Sequence, residues 1–249
     1  MSNVYGLPHT GDVDVRAVLA DVARLGPFFT VGTDPAEAAD PTWRPVRDLY
    51  TDPQPLRDRI AHVRRVLGSD DRVAASITFQ GLAALLLSAP LAAVVLHGVL
   101  PSLTARSLFW RPSAGGPWPL WSGAPSGVEV GDADDAARAL AGALFDEHLA
   151  PLIAAVRAQV AISERLLWGS VASSVASGKR LIGVERPEAA ARAAAVAERL
   201  LATGPLAGSG DLLPPAGPDV AWTFRRRSCC LYYRAREGGL CGDCVLTAR

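Results

Sequence analysis

From Gly81 to Leu100 the sequence GLAALLLSAPLAAVVLHGVL runs for twenty residues without Asp, Glu, Lys or Arg. A run of this kind must leave water, into either a bilayer or a protein core, and its length meets the criterion for a membrane span. Pro90 would remove a backbone hydrogen bond from one long helix, and Ser88, His97 and Gly98 make the run less lipid-like. The pattern therefore predicts two buried core helices meeting near Pro90, which need a sizeable body around them. A chain of 249 residues with 49% hydrophobic content can supply one.

The flanking sequence is mostly helical in period. Asp12 is placed to cap a helix whose apolar residues Val15, Val18, Leu19, Val22 and Leu25 recur at three- and four-residue steps, ending at Gly26-Pro27. The stretch from Gly26 to Pro55 reads as a long connection carrying Trp43 and Tyr50. A second helix follows with Leu56, Ile60, Val63 and Leu67 on one face, broken by Gly68-Ser69-Asp70-Asp71. SLFWRPSAGGPWPLW then places two aromatic runs around a Gly-rich turn, a β-hairpin near residues 106–123. Its tryptophans, Trp110, Trp118 and Trp121, are expected to pack the hairpin on the core, with a ligand-facing wall as the alternative. Helical signals resume at Asp132 and continue, interrupted near Pro151 and Ile162, to about Ser177; another helix runs from Pro187 to about Ala202.

The Gly/Pro-rich stretch 204–219 is expected to be a linker. It would divide a helical body, 1–203, from a C-terminal segment, 220–249, in which Trp222 and Phe224 alternate as strand anchors. The fold class is mainly α (α+β): a multihelical body, a small hairpin and a cysteine-bearing C-terminal segment.

The formal net charge is zero, so no global field favours nucleic acid or an anionic membrane. The N-terminus shows no secretory pattern, and the expectation is a cytoplasmic protein without a transmembrane segment, peripheral membrane contact remaining open. There is no internal repeat, no phosphate-binding or dinucleotide glycine motif, no GxSxG, and no HxxxH or HxH among His9, His62, His97 and His148. Lys179, the only lysine, is read as a consequence of arginine-rich composition.

All four cysteines lie in the tail: Cys229, Cys230, Cys241 and Cys244. In a reducing compartment, clustered thiols point to metal or redox chemistry. Four soft thiolates suit zinc or an iron-sulfur cluster. Cys241-Gly242-Asp243-Cys244 forms a compact knuckle, whereas adjacent Cys229 and Cys230 project to opposite sides unless the backbone bends. A zinc site usually pairs two CxxC knuckles, so the spacing favours iron and sulfide while leaving a structural zinc knuckle in a binding module, or an iron-sulfur carrier or sensor, as alternatives. Arg225, Arg226, Arg227, Arg234 and Arg236 surround the cysteines; as cations they would raise a cluster's potential or dock an acidic donor, or else form a solvated basic face. One of Tyr232 and Tyr233 would cover the centre.

RRSCCLYYR followed by GGLCGDC resembles the C-terminal signature of FhuF-type ferric siderophore reductases, CC, ten residues, CxxC. DRVAASITFQGLAALLLSAPLAAVVLHGVLP and ERLLWGSVASS are similar to that family's helical body. The resemblance implies a 2Fe-2S cluster on Cys229, Cys230, Cys241 and Cys244. It also implies one-electron reduction of iron(III) held by a hydroxamate siderophore, with a ferredoxin or another reductase as donor. Arg226, Arg227, Tyr232, Tyr233 and Arg234 are then candidates for tuning or docking. Iron(II) binds hard anionic oxygens far less tightly than iron(III), so this chemistry needs no acid, base or nucleophile from the chain.

Overall fold

A computed structural model of the protein describes residues 13–113 and 115–247. Helix α1 (Val15–Val22) turns Val15, Val18, Leu19 and Val22 inward. Its cap is Asp14, whose carboxylate accepts the Ala17 N–H at 3.1 Å; Asp12 lies outside the described residues, as does His9. The connection that follows contains β1 (Val31–Gly32), β2 (Arg44–Pro45) and the short α2 (Asp48–Thr51). Helix α3 (Pro53–Leu67) starts at an Asp52 cap and stops at Gly68, which takes the left-handed conformation at φ +55°.

The uncharged run forms one helix. Helix α4 (Asp71–His97) is continuous through Pro90, correcting the expectation of two helices meeting there. A proline inside a helix costs about 3 kcal/mol, but α4 packs against α1, α3, α5, α6 and α7, and each buried Leu or Val recovers roughly 1.5–3 kcal/mol. Burial on nearly every side keeps the helix whole. Two helical stretches, Asp71–His97 and Ala133–Gln159, are long and apolar enough to cross a membrane; 78% of the first one's apolar window and 44% of the second's lie inside the protein.

Four short strands follow α4: β3 (Val99–Pro101), β4 (Phe109–Trp110), β5 (Leu120–Trp121) and β6 (Gly127–Glu129). The expected hairpin is β4–β5, paired antiparallel with Trp110 opposite Leu120. It is the centre of a four-stranded sheet ordered β1-β5-β4-β2, in which β1 runs parallel to β5. The outer strands come from the long connection and have two residues each, too few for any periodicity to register. Trp110, Trp118 and Trp121 are all buried, and Trp110 stacks on Trp118 with centroids 4.5 Å apart, so they pack the hairpin.

Helix α5 (Ala133–Leu144) is capped by Asp132. A π-helical turn, Phe145–Leu149, leads into α6 (Ala150–Gln159). Pro151 sits in the first turn of α6, where a missing N–H costs little, so no break occurs there. Helix α7 (Glu164–Glu185) runs well beyond Ser177. Gly178 lets α7 pack closely on α4, where a Cβ would come within 2.9 Å of Leu91. Helix α8 (Ala190–Leu201) completes the body.

The expected linker contains a strand. β7 (Gly210–Leu213) pairs antiparallel with β8 (Thr223–Arg226), Gly210 opposite Arg226 and Leu213 opposite Thr223. Trp222 and Phe224 are buried and hold this ribbon to the body.

Candidate metal centre and adjoining cleft

The residues leading into the cysteines are tied to the first turns of two core helices. Ser76 of α4 donates its hydroxyl to the Cys230 carbonyl at 2.8 Å. Arg234 pairs with Asp70, the cap of α4, at 2.6 Å, and the Arg236 N–H donates to the Leu67 carbonyl at 3.1 Å. On α7, Gly169 allows Ser228 to lie against the helix, since a Cβ would overlap the Ser228 hydroxyl. Cys229 and Cys230 thereby sit over the α4–α7 pair.

The backbone bends immediately after the adjacent cysteines. Leu231 adopts φ +67°, uncommon for a residue with a side chain, and its N–H donates to Cys229 Sγ at 3.3 Å. The Leu246 N–H donates to Cys244 Sγ at the same distance. All four cysteines are free of disulfides; Cys230 and Cys244 are buried, Cys229 and Cys241 half-buried.

Cys230 and Cys241 form a hydrogen-bonded pair. That bond, with help from the Tyr232 N–H and the Arg226 guanidinium and against the effect of burial, draws the Cys230 thiol down to about 6. The same bond, burial and the neighbouring sulfurs of Cys230 and Cys244 push the Cys241 thiol up. A thiolate is the ligand form of cysteine, and this pair holds one negative charge readily. Among the described residues no three Cys, His, Asp or Glu side chains converge on one point.

Arg226 lies beneath them at 1% exposure. Its Nη2 donates to the Leu166 carbonyl and the Ser170 hydroxyl, each at 3.1 Å, while Nε and Nη1 have no partner. Two orphaned donors on a buried cation beside thiols are suited to an anionic group. With four free thiols and two N–H···S contacts, this donor set fits an iron-sulfur cluster, whose sulfurs accept such bonds.

The other tail arginines differ. Arg227 pairs with Asp211 at 2.5 Å and is half exposed, Arg225 approaches the same carboxylate at 3.7 Å, and Arg234 is occupied by Asp70. Much of the basic face expected from sequence is thus ion-paired. Tyr233 is 48% exposed, and it is Tyr232 that borders the cysteines.

Sequence reasoning missed the clamp below the segment. Lys179 Nζ, buried, donates to Asp219 at 2.7 Å and to the Trp222 carbonyl at 2.5 Å, and lies 4.3 Å from the Trp222 ring centroid. Arg180 binds the other Asp219 oxygen at 2.8 Å and reaches Asp243 at 3.5 Å. Burial raises the Asp243 pKa, opposed by Arg180, Ser173 and Arg226. A single lysine in an arginine-rich chain was the available signal.

A cleft of about 460 Å³ opens beside the pair, bordered by Cys230, Cys241 and Tyr232. Its walls are one face of α4 (Ile77, Gln80, Gly81, Ala84, Ser88) and one of α7, including Ser173, Ser177 and Gly178. These small residues at helical spacing leave a groove where larger ones would close the interface.

A family described as "Ferric iron reductase FhuF-like transporter" matches residues 79–215, and one described as "FhuF 2Fe-2S C-terminal domain" matches residues 226–246. The chain belongs to the FhuF-like ferric iron reductase family. Its C-terminal segment is a 2Fe-2S domain, and all four cysteines fall within the matched residues. No curated protein matches the chain. The family match begins within α4, at residue 79, and runs past β7, covering most of both cleft walls, while α1 to α3 precede it.

Proposed function

We propose that this FhuF-like protein is a ferric siderophore reductase acting in the cytoplasm. Iron(III) in a hydroxamate siderophore docks in the cleft between α4 and α7, takes up one electron and leaves as iron(II), which the same oxygen ligands hold far less tightly. A 2Fe-2S group supplies electrons one at a time, and Cys229, Cys230, Cys241 and Cys244 would hold it. The observation that carries this reading is the cleft itself, a ligand-sized space bordered directly by Cys230 and Cys241.

The chain's own residues hold the thiolates, keep a buried cation beside them and position the chelate. Small side chains on the groove walls admit a bulky, rounded complex without a charged contact. The exposed apolar residues Tyr233, Leu240 and Leu246 offer a landing surface for a ferredoxin or another reductase as donor.

The test is a single turnover. Anaerobically purified protein with two irons and two sulfides, reduced with dithionite and freed of excess reductant, is mixed with a ferric trihydroxamate and a ferrous trap. One trapped iron(II) per cluster, with loss of the reduced EPR signal, is the expected result. A reduced cluster that persists in the presence of ferric hydroxamate would reject the assignment.

A further inference from the structure

The cleft does not end at the α4–α7 groove. A second chamber of about 540 Å³ shares Phe28, Ile77 and Gly81 with it and continues between α3, α4 and the tip of the β4–β5 hairpin. Gly81 forms the waist, and a Cβ there would meet no atom within 4 Å.

The chemistry of the far chamber differs from that near the cysteines. Its wall contains Arg59, His62, Thr78 and Trp118, with no Asp or Glu. Arg59 makes no ion pair among the described residues. Its Nη1 and Nη2 donate to the Ser113 and Gly116 carbonyls at 3.3 and 3.0 Å, and its guanidinium lies 5.4 Å from the Trp118 ring centroid. Neutral carbonyls and an aromatic face thus hold a partly desolvated cation in place, and burial lowers its pKa. Asp52 and Asp58 border a neighbouring cleft that Arg59, His62 and Trp118 also line; Asp52 is bound to Arg44 at 2.9 Å and Asp58 accepts from Gln54 at 2.8 Å. A fixed cation with no ion pair, in a chamber whose wall holds no Asp or Glu, calls for an anionic ligand group.

We infer that the far chamber receives an arm of the bound chelate bearing a carboxylate, and that Arg59 selects for that arm. The inference rests on the siderophore reading above. The iron centre sits beside Cys230 and Cys241, the arm passes Gly81, and its carboxylate meets Arg59. Arg59 lies on α3, before the residues that the family model matches.

Gallium(III) complexes of one linear trihydroxamate, capped at its end with an acetyl group or with a succinyl half-acid, differ by a single carboxylate and undergo no reduction. They are titrated calorimetrically into cluster-loaded protein. The succinyl complex should bind about tenfold more tightly than the acetyl complex, the size of one charge-assisted hydrogen bond. The ratio should fall to near one in Arg59→Gln and survive in Arg65→Gln, which removes an exposed charge from the same helix. Equal binding of the two complexes to the wild type, which needs no variant, would overturn the inference, as would a ratio unchanged in Arg59→Gln or lost equally in Arg65→Gln. Failure of both complexes to bind would overturn the siderophore reading together with it, whereas tight binding of both without discrimination would overturn the inference alone.

Discussion

Arg226 and Arg227 are neighbours in sequence with opposite surroundings. Arg226 is buried with unpartnered donors beside the thiols, whereas Arg227 is exposed and bound to Asp211. Alternation along β8 turns its last residue, Arg226, inward, and Arg227 lies just beyond the strand's end. Removing a buried cation disfavours the more negative, reduced cluster. We expect Arg226→Met to lower the midpoint potential by about 60 mV, a tenfold change for a one-electron couple, and Arg227→Met to shift it much less, both read by protein-film voltammetry. At the cysteines, Cys230→Ser should lose the visible and EPR signals of the cluster; an unchanged spectrum would remove Cys230 from the ligand set. His148 bears on stability. Its ring bridges the Tyr50 hydroxyl at 2.8 Å and the Leu103 carbonyl at 2.7 Å. Burial lowers its pKa despite opposing effects from Leu103 and Glu147. The unfolded chain therefore takes up a proton first as pH falls below about 6.5, and stability declines below that pH. The melting temperature should drop between pH 7 and pH 5, with a shallower slope in His148→Gln.

At the scale of elements, α4 and α7 do two jobs, building the core and walling the cleft. The core function was legible in the uncharged run from Gly81 to Leu100, but its division at Pro90 was not, because the cost of one missing hydrogen bond says nothing about how much burial opposes it. The cleft face was hidden for a similar reason: Gly81, Ala84, Ser88, Ser177 and Gly178 are ordinary small residues until two helices set them opposite one another. Gly81→Phe should fill the waist and reduce chelate affinity at least tenfold while the cluster spectrum stays intact; full affinity would place the chelate elsewhere. The Lys179–Asp219 pair fastens the tail to α7, both side chains 4% exposed. Asp219→Ala strands a buried ammonium and should cost about 3–5 kcal/mol, with loss of the cluster on purification. Lys179→Met leaves Asp219 with Arg180 and should be milder. Denaturant melts that showed no loss of stability in Asp219→Ala would mean the clamp is unimportant.

At the scale of the whole molecule, the C-terminal segment is laid across the helical body rather than hung from it by a linker. β7 lies within the Gly/Pro-rich stretch, and Ser76, Asp70 and Leu67 all contact the tail from residues more than 150 positions earlier. Such non-local contacts leave no mark on local composition. Cluster loading should therefore protect residues 226–246 and the first turns of α4 and α7 together in hydrogen exchange; protection confined to the tail would mean that the two fold independently. The sequence by itself determined the helical class, the hairpin, where α3 and α8 end and the four-thiol motif, because each rests on periodicity, capping or spacing within a few residues. Only the tertiary structure decided that α4 is one helix, that the lone lysine is a buried clamp, which arginine is buried near the thiols, and that a cleft borders Cys230 and Cys241 beside a second chamber holding Arg59. Each of these depends on groups distant in the chain sharing a space from which water is largely excluded, where burial and pairing, rather than residue type, set the energy.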